Sequence, residues 1–337
     1  MRSRPRALAR AWLVATFVLL GLGGRPAAAA APLEHYLVGD RAAPRPDPVT
    51  GGLLLLGGGD RDDEAMSWFF ARAGHGHVVV LSASYGAEIG DEFFHRLGGV
   101  ASVETFVFGD REQTGDPAVA DALARADGIF IAGGDQARYV RYWQDTPVAR
   151  ALERHVASGR PLAGTSAGLA ILGEYLYGAL DGGSIDSATA LADPYGPAVT
   201  VVDGFLRLPL LEGVITDTHF RERRRLGRLC AFLVHAQRDR PADRRPLLGL
   251  GVDEAAAVAV RPDGSARVYA TAKGGGAWLV DGSTLRARPP RAPFFGVRIR
   301  VRGVGDGGTL HLPDGAVERP AFERTYAVRG RELVVIR

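Results

Sequence analysis

Residues 52–81 read GLLLLGGGDRDDEAMSWFFARAGHGHVVVL, and the fold follows from how this stretch is punctuated. Leu53 to Leu56 is a short, wholly apolar run that stops at Gly57-Gly58-Gly59. An acidic turn and a helical stretch from Glu64 to Ala73 lead to a second apolar run, His77 to Leu81. Strands buried on both faces read as continuous apolar runs rather than as an alternation. Outward from this unit the pattern repeats. Val103 to Phe108 is a third strand, Ala118 to Ala126 a helix, and Gly128 to Ala132 a fourth strand that halts at Gly133-Gly134-Asp135. A helix over Ala149 to Ala157 precedes Pro161 to Gly164, and Leu247 to Val252 is a later strand. Strands alternating with helices predict an α/β fold, a three-layer parallel sheet with helices on both faces.

The flanks differ. A basic stretch, Arg2 to Arg10, precedes the apolar run Ala11 to Leu22 and a small-residue string, Ala27 to Ala31. This is the pattern of a cleaved signal peptide over residues 1–31, too short for a comfortable membrane span. It predicts a secreted or periplasmic protein with no stable membrane anchor. Residues 32–50 are rich in proline and charge and read as a linker; the α/β catalytic domain is expected over 51–260. From about residue 256 hairpin signals take over, with Arg261-Pro262-Asp263-Gly264 between two apolar runs, so 261–337 reads as a β-rich C-terminal extension. Cys230, the one cysteine, lies in a helical pattern and reads as core packing.

Charge excludes one class of partner. The formal charge is +3, but five arginines lie in residues 1–30; without them 36 basic residues face 38 acidic ones. No basic patch dominates, so nucleic acid is not an expected partner. No histidine or cysteine pair has metal-ligand spacing, and no cofactor is implied.

Three features carry chemistry, each where an apolar strand ends, the edge at which open α/β sheets bind ligands. Gly164-Thr165-Ser166-Ala167-Gly168 sets a serine among small residues between a strand and a helix. This is either a nucleophile elbow, with the Ala167 amide placed for an oxyanion, or a glycine-rich capping turn. His219, in Thr216-Asp217-Thr218-His219-Phe220, is the histidine that follows a strand and opens a helix, as a base for the serine requires. Asp253-Glu254 ends another strand, and one of the two could orient that imidazole. The turns at Gly57–Gly59 and Gly133-Gly134 could supply oxyanion amides or simply make room for substrate.

GTSAG at 164–168, GGDQ at 133–136, DTHFRERRRLGRL at 217–229 and GVDE at 251–254 resemble the cyanophycinase-like serine peptidases of family S51, related to aspartyl dipeptidase. The resemblance spans roughly residues 50–260. It implies a class I glutamine-amidotransferase-like (flavodoxin-like) fold and a Ser166, His219, Glu254 triad, with Ala167, Gly133 and Gly134 around the oxyanion. It further implies substrate contacts from Gln136, Asp217, Arg223, Arg225 and Arg228. Thr218, also in that set, stands where the best-known cyanophycinases carry glutamine. Cyanophycinases release β-aspartyl-arginine from the arginine–aspartate polymer cyanophycin, so a peptide substrate is implied. An α-aspartyl or isoaspartyl dipeptidase and a non-catalytic binding protein on the same fold are the alternatives. Oligomeric state is left open, a homodimer included.

Overall fold

A computed structural model describes residues 32–84, 86–238, 240–241, 243–285 and 295–337; the expected signal peptide lies outside them. The first elements are β1 (Glu34–Gly39), β2 (Gly52–Leu56), α1 (Asp63–Arg72), β3 (His77–Ser82), α2 (Glu88–Asp91) and β4 (Ser102–Val107). Next come α3 (Pro117–Arg125), β5 (Gly128–Ile131), α4 (Gln136–Trp143), α5 (Pro147–Ala157), β6 (Pro161–Thr165) and α6 (Ala167–Ala170). The middle of the chain adds β7 (Tyr175–Tyr177), α7 (Ser187–Ala192), β8 (Val201–Asp203), β9 (Val214–Asp217) and α8 (Leu226–Gln237). Strands then dominate: β10 (Leu248–Val252), β11 (Ala256–Val260), β12 (Ser265–Ala270) and β13 (Gly276–Asp281). β14 (Arg298–Gly305), β15 (Thr309–His311), β16 (Phe322–Arg329) and β17 (Glu332–Val335) complete the order.

The strands form two mixed sheets among the described residues. One runs β1-β4-β3-β5-β6-β2-β11-β12-β15 and the other β17-β16-β14-β13-β10-β9-β7-β8. The parallel core expected from the apolar runs is β4-β3-β5-β6-β2. Antiparallel strands flank it, β1 against β4 and β11 against β2. The second sheet is parallel only across β10, β9 and β7. The α/β class holds, with the parallel strands set inside two mixed sheets.

Side-chain alternation explains why the central strands must be apolar throughout. Leu53 and Leu55 enter one core with α3 and α5, whereas Leu54 and Leu56 face Phe69 and Phe70 of α1 on the other side. A fully buried leucine contributes about 1.5–3 kcal/mol, so β2 anchors both layers. The first of these cores also takes Leu250 and Val252 of β10 and Leu279 of β13, and so lies between the two sheets. The far face of the second sheet packs on α8 through Ile215, Val280 and Val301. Helix starts follow local chemistry: the carboxylates of Asp62, Asp116 and Asp135 each accept a backbone N–H of the helix that follows.

The flanks differ from expectation in three ways. The proline-rich segment contributes β1, whose residues Glu34 to Gly39 pair in register with β4. Residues 261–337 are β-rich, and β11–β12 is the expected hairpin. They are not set apart, however: β12 and β15 extend the first sheet, while β13, β14, β16 and β17 extend the second. Residues 32–337 form one compact unit. Finally, α8 begins at Leu226, so the arginines at 221, 223, 224 and 225 lie in turns ahead of it. No helix of the described residues is long and apolar enough to cross a membrane.

Candidate active site

The path from β6 to α6 turns sharply at Ser166, whose φ of 53° and ψ of −118° are unusual for a residue with a side chain. The glycines around it follow from packing. A Cβ on Gly164 would lie 2.5 Å from the Gly168 carbonyl oxygen, and one on Gly168 would lie 2.2 Å from that of Ile131. The pentapeptide therefore folds back on itself and onto the end of β5. The Ser166 side chain makes no capping hydrogen bond to α6.

His219 follows β9, and Glu254 follows β10, its parallel neighbour. The Ser166 hydroxyl donates to Nε2 of His219 at 2.7 Å, and the Nδ1–H of His219 donates to Oε1 of Glu254 at 2.5 Å. The serine thus comes from one sheet and its two partners from the other, so the cluster sits at the seam between them. His219 is buried, and burial pushes its pKa below the usual value near 6.5; the Arg223 charge adds to this and the Glu254 hydrogen bond opposes it. The imidazole is therefore neutral at pH 7, free to accept a proton.

Asp253 and Glu254 lie just past the end of β10, Glu254 in a turn, and their side chains part. Asp253 is fully buried and accepts from the Arg221 and Gly276 backbone N–H groups and from the Trp278 indole. The Glu254 backbone N–H donates to Glu222 Oε2 at 3.0 Å. Glu222 thus holds the backbone of Glu254 and Trp278 holds the neighbouring Asp253, and sequence reasoning missed both because they act only through tertiary contact.

The expected substrate contacts separate into two groups. Asp217 and Arg228 are buried and grip each other: Arg228 Nε donates to Oδ2 at 2.8 Å and Nη2 to Oδ1 at 2.5 Å. The Arg228 guanidinium also lies over Tyr177 and Phe232 and donates to Ser184 Oγ and the Ile185 carbonyl. Arg225 is buried too; it donates to the Thr218 carbonyl and Ser184 Oγ, and burial lowers its pKa to about 10. Asp217, Arg225 and Arg228 are thus tied to one another and to the turn bearing Thr218 and His219. Thr218 is buried among them.

Arg223 and Gln136 are different. Arg223 is exposed beside His219, and its guanidinium makes no hydrogen bond or ion pair among the described residues. Gln136 is half-buried at the start of α4 and donates through Nε2 to the Tyr177 carbonyl. Gly133 is buried and its carbonyl accepts from the Tyr139 hydroxyl at 3.1 Å, while Gly134 is exposed. Among the described residues no group of three or more His, Cys, Asp or Glu side chains is disposed to hold a metal ion.

The sequence model of Peptidase family S51 matches residues 85–262, a span containing Ser166, His219 and Glu254. A cyanophycinase from Trichormus variabilis is 32% identical over 295 residues, covering 83% of this chain and 91% of its own. A cyanophycinase from Synechococcus elongatus is 32% identical over 228 residues, covering 64% of this chain and 65% of its own. Among solved structures, a peptidase from an acI-B1 Actinobacterium aligns with a TM-score of 0.49 at 16% identity, covering 86% of this chain and 98% of that one.

Proposed function

This chain belongs to peptidase family S51, and from that premise we propose that Ser166, His219 and Glu254 hydrolyse aspartyl-linked peptides of the cyanophycin type. The chain is a serine-type peptidase. The observation that carries the finer reading is the unbroken relay from hydroxyl through imidazole to carboxylate, 2.7 Å and 2.5 Å long at its two links. In the proposed reaction Ser166 Oγ attacks the scissile carbonyl as its proton passes to Nε2 of His219. Glu254 holds the Nδ1–H tautomer and stabilises the imidazolium. The oxyanion accepts from the Ala167 N–H. A second donor is the Gly134 N–H, which in a trans peptide points away from the Gly133 carbonyl that the Tyr139 hydroxyl approaches at 3.1 Å. His219 returns the proton to the leaving amine, and water, deprotonated by the same imidazole, frees the acyl-enzyme.

Arg223 suits a substrate carboxylate, being charged, exposed and, among the described residues, unpaired beside the base. Two cyanophycinases at 32% identity favour the polymer over a simple dipeptide. With the leader expected over residues 1–31, the reaction takes place outside the cytoplasm.

The test uses the purified chain and Ser166→Ala, each incubated with cyanophycin and with α- and β-aspartyl dipeptides. Release of β-Asp-Arg from cyanophycin by the first protein alone is expected. Equal inactivity of both on all three substrates would instead favour a binding protein. A pH profile adds a second check. The base must be neutral, so kcat/KM falls only as pH drops through a pKa held below 6.5. Arg223→Gln removes a repelling charge and is expected to move that acid limb upward; an unmoved limb contradicts the proximity of Arg223 to the base.

A further inference from the structure

The end of β2 makes contacts with all three parts of the site. The carbonyl of Leu56 accepts the Ser166 N–H at 3.1 Å, that of Gly57 the His219 N–H at 2.8 Å, and that of Gly58 the Ala255 N–H at 2.9 Å. Three consecutive carbonyls thus hold the nucleophile, the base and the residue directly after the acid. All three donors lie in the left-handed region, with φ of 53°, 45° and 51°. Residues with a Cβ avoid this region and persist in it only where their surroundings impose it. Here the surroundings are stiff. Leu56 pairs with Thr165 of β6 on one side and with Ala257 of β11 on the other.

The glycines are required by what crosses them. A Cβ on Gly57 would lie 2.0 Å from the Asp253 carbonyl oxygen, because the chain leaving β10 passes directly over it. At Gly58, where φ is 107°, a Cβ would lie 2.4 Å from Cε1 and 2.6 Å from Nε2 of His219. Nε2 is the atom that faces the Ser166 hydroxyl.

We propose that Leu56–Gly58 is the positioning element of the site. One strand end sets the nucleophile from the first sheet in register with the base and acid from the second. Gly58 is a positioning residue: it leaves the space in which the imidazole sits and fixes where Nε2 points. The proposal rests on the Ser166–His219–Glu254 reading above. It also gives the triple glycine a task other than donating to an oxyanion, since here its carbonyls accept.

The experiment measures cyanophycin cleavage by Gly58→Ala, His219→Ala and the double variant. Displacing a reacting group by 1 Å costs about 100-fold, so kcat of Gly58→Ala is expected to fall by about that factor with KM changed less than about threefold. With the imidazole gone, adding Gly58→Ala to His219→Ala is expected to change the residual rate by less than about twofold. Wild-type turnover by Gly58→Ala, or a second full loss in the double variant, overturns the proposal. Failure of the triad reading looks different: His219→Ala itself keeps wild-type turnover. Amide hydrogen exchange on the wild-type protein needs no variant to fold. Ser166, His219 and Ala255 amides are expected to be protected in step with β2, and rapid exchange at any of them beside a protected β2 overturns the assignment.

Discussion

Ser166→Ala and His219→Ala are each expected to lower kcat/KM by about 10⁴- to 10⁶-fold, with the double variant no worse than either alone. The two side chains act as one unit. A hydroxyl with no base is a poor nucleophile at neutral pH, and a base with no hydroxyl has nothing to activate. The 2.7 Å bond between them is already in place without substrate, and burial keeps the imidazole neutral. The loss should therefore appear in kcat, because neither group is needed to hold substrate in the ground state. Residual activity comes from the oxyanion donors and from binding. Independent, multiplying losses in the double variant would contradict the coupling, as would a Ser166→Ala protein within about tenfold of wild type.

The second large effect is on stability. Arg228→Met is expected to cost about 3–5 kcal/mol, read from the midpoint of urea unfolding, because it takes away the two-pronged partner of the buried Asp217 carboxylate and leaves only the Arg225 guanidinium, 3.6 Å away, as its counter-charge. The comparison with exposed pairs decides the size. Arg96 and Asp63 also meet at 3.0 Å, but both are half-exposed or more, and such pairs contribute less than about 1 kcal/mol. Arg228 and Asp217 have side chains only 1% and 3% exposed. Replacing both, with Asp217→Leu beside Arg228→Met, is expected to recover part of the loss, since the orphaned charge is then gone. A single variant that unfolds within about 1 kcal/mol of wild type would show that the pair does not brace the turn bearing His219.

How much of this was legible in the sequence depended on the range of the interaction. The central strands were legible because a strand covered on both faces can only be apolar: GLLLL became β2 and HVVVLS became β3. Aspartates ahead of helices, and PDG between two apolar runs, are equally local signals. The division into two sheets was not legible. Whether β10 pairs with β9 or joins β2 is settled by partners far away in the chain, and no local pattern records it. The same holds for β1, hidden in a proline-rich stretch whose strand residues are half exposed on an edge.

At the site the split is similar. The residue types of the relay and their places after strands could be read, and the choice of Glu254 over Asp253 came from family resemblance. The pairing of Asp217 with Arg228, 11 residues apart, was not legible, because charge alone says nothing of mutual contact. The triple glycine after β2 was visible, but its reason was not. Each missing side chain there is explained by an atom from a distant segment: the Asp253 carbonyl at position 57 and the His219 ring at position 58.

The most direct measurement stops cyanophycin turnover with acid, digests the protein and weighs the peptide that carries Ser166. The account predicts an acyl ester on that serine in the wild-type protein and none in His219→Ala. Cleavage of the polymer with the acyl group on another residue, or an ester on Ser166 that forms equally well without the imidazole, would contradict it.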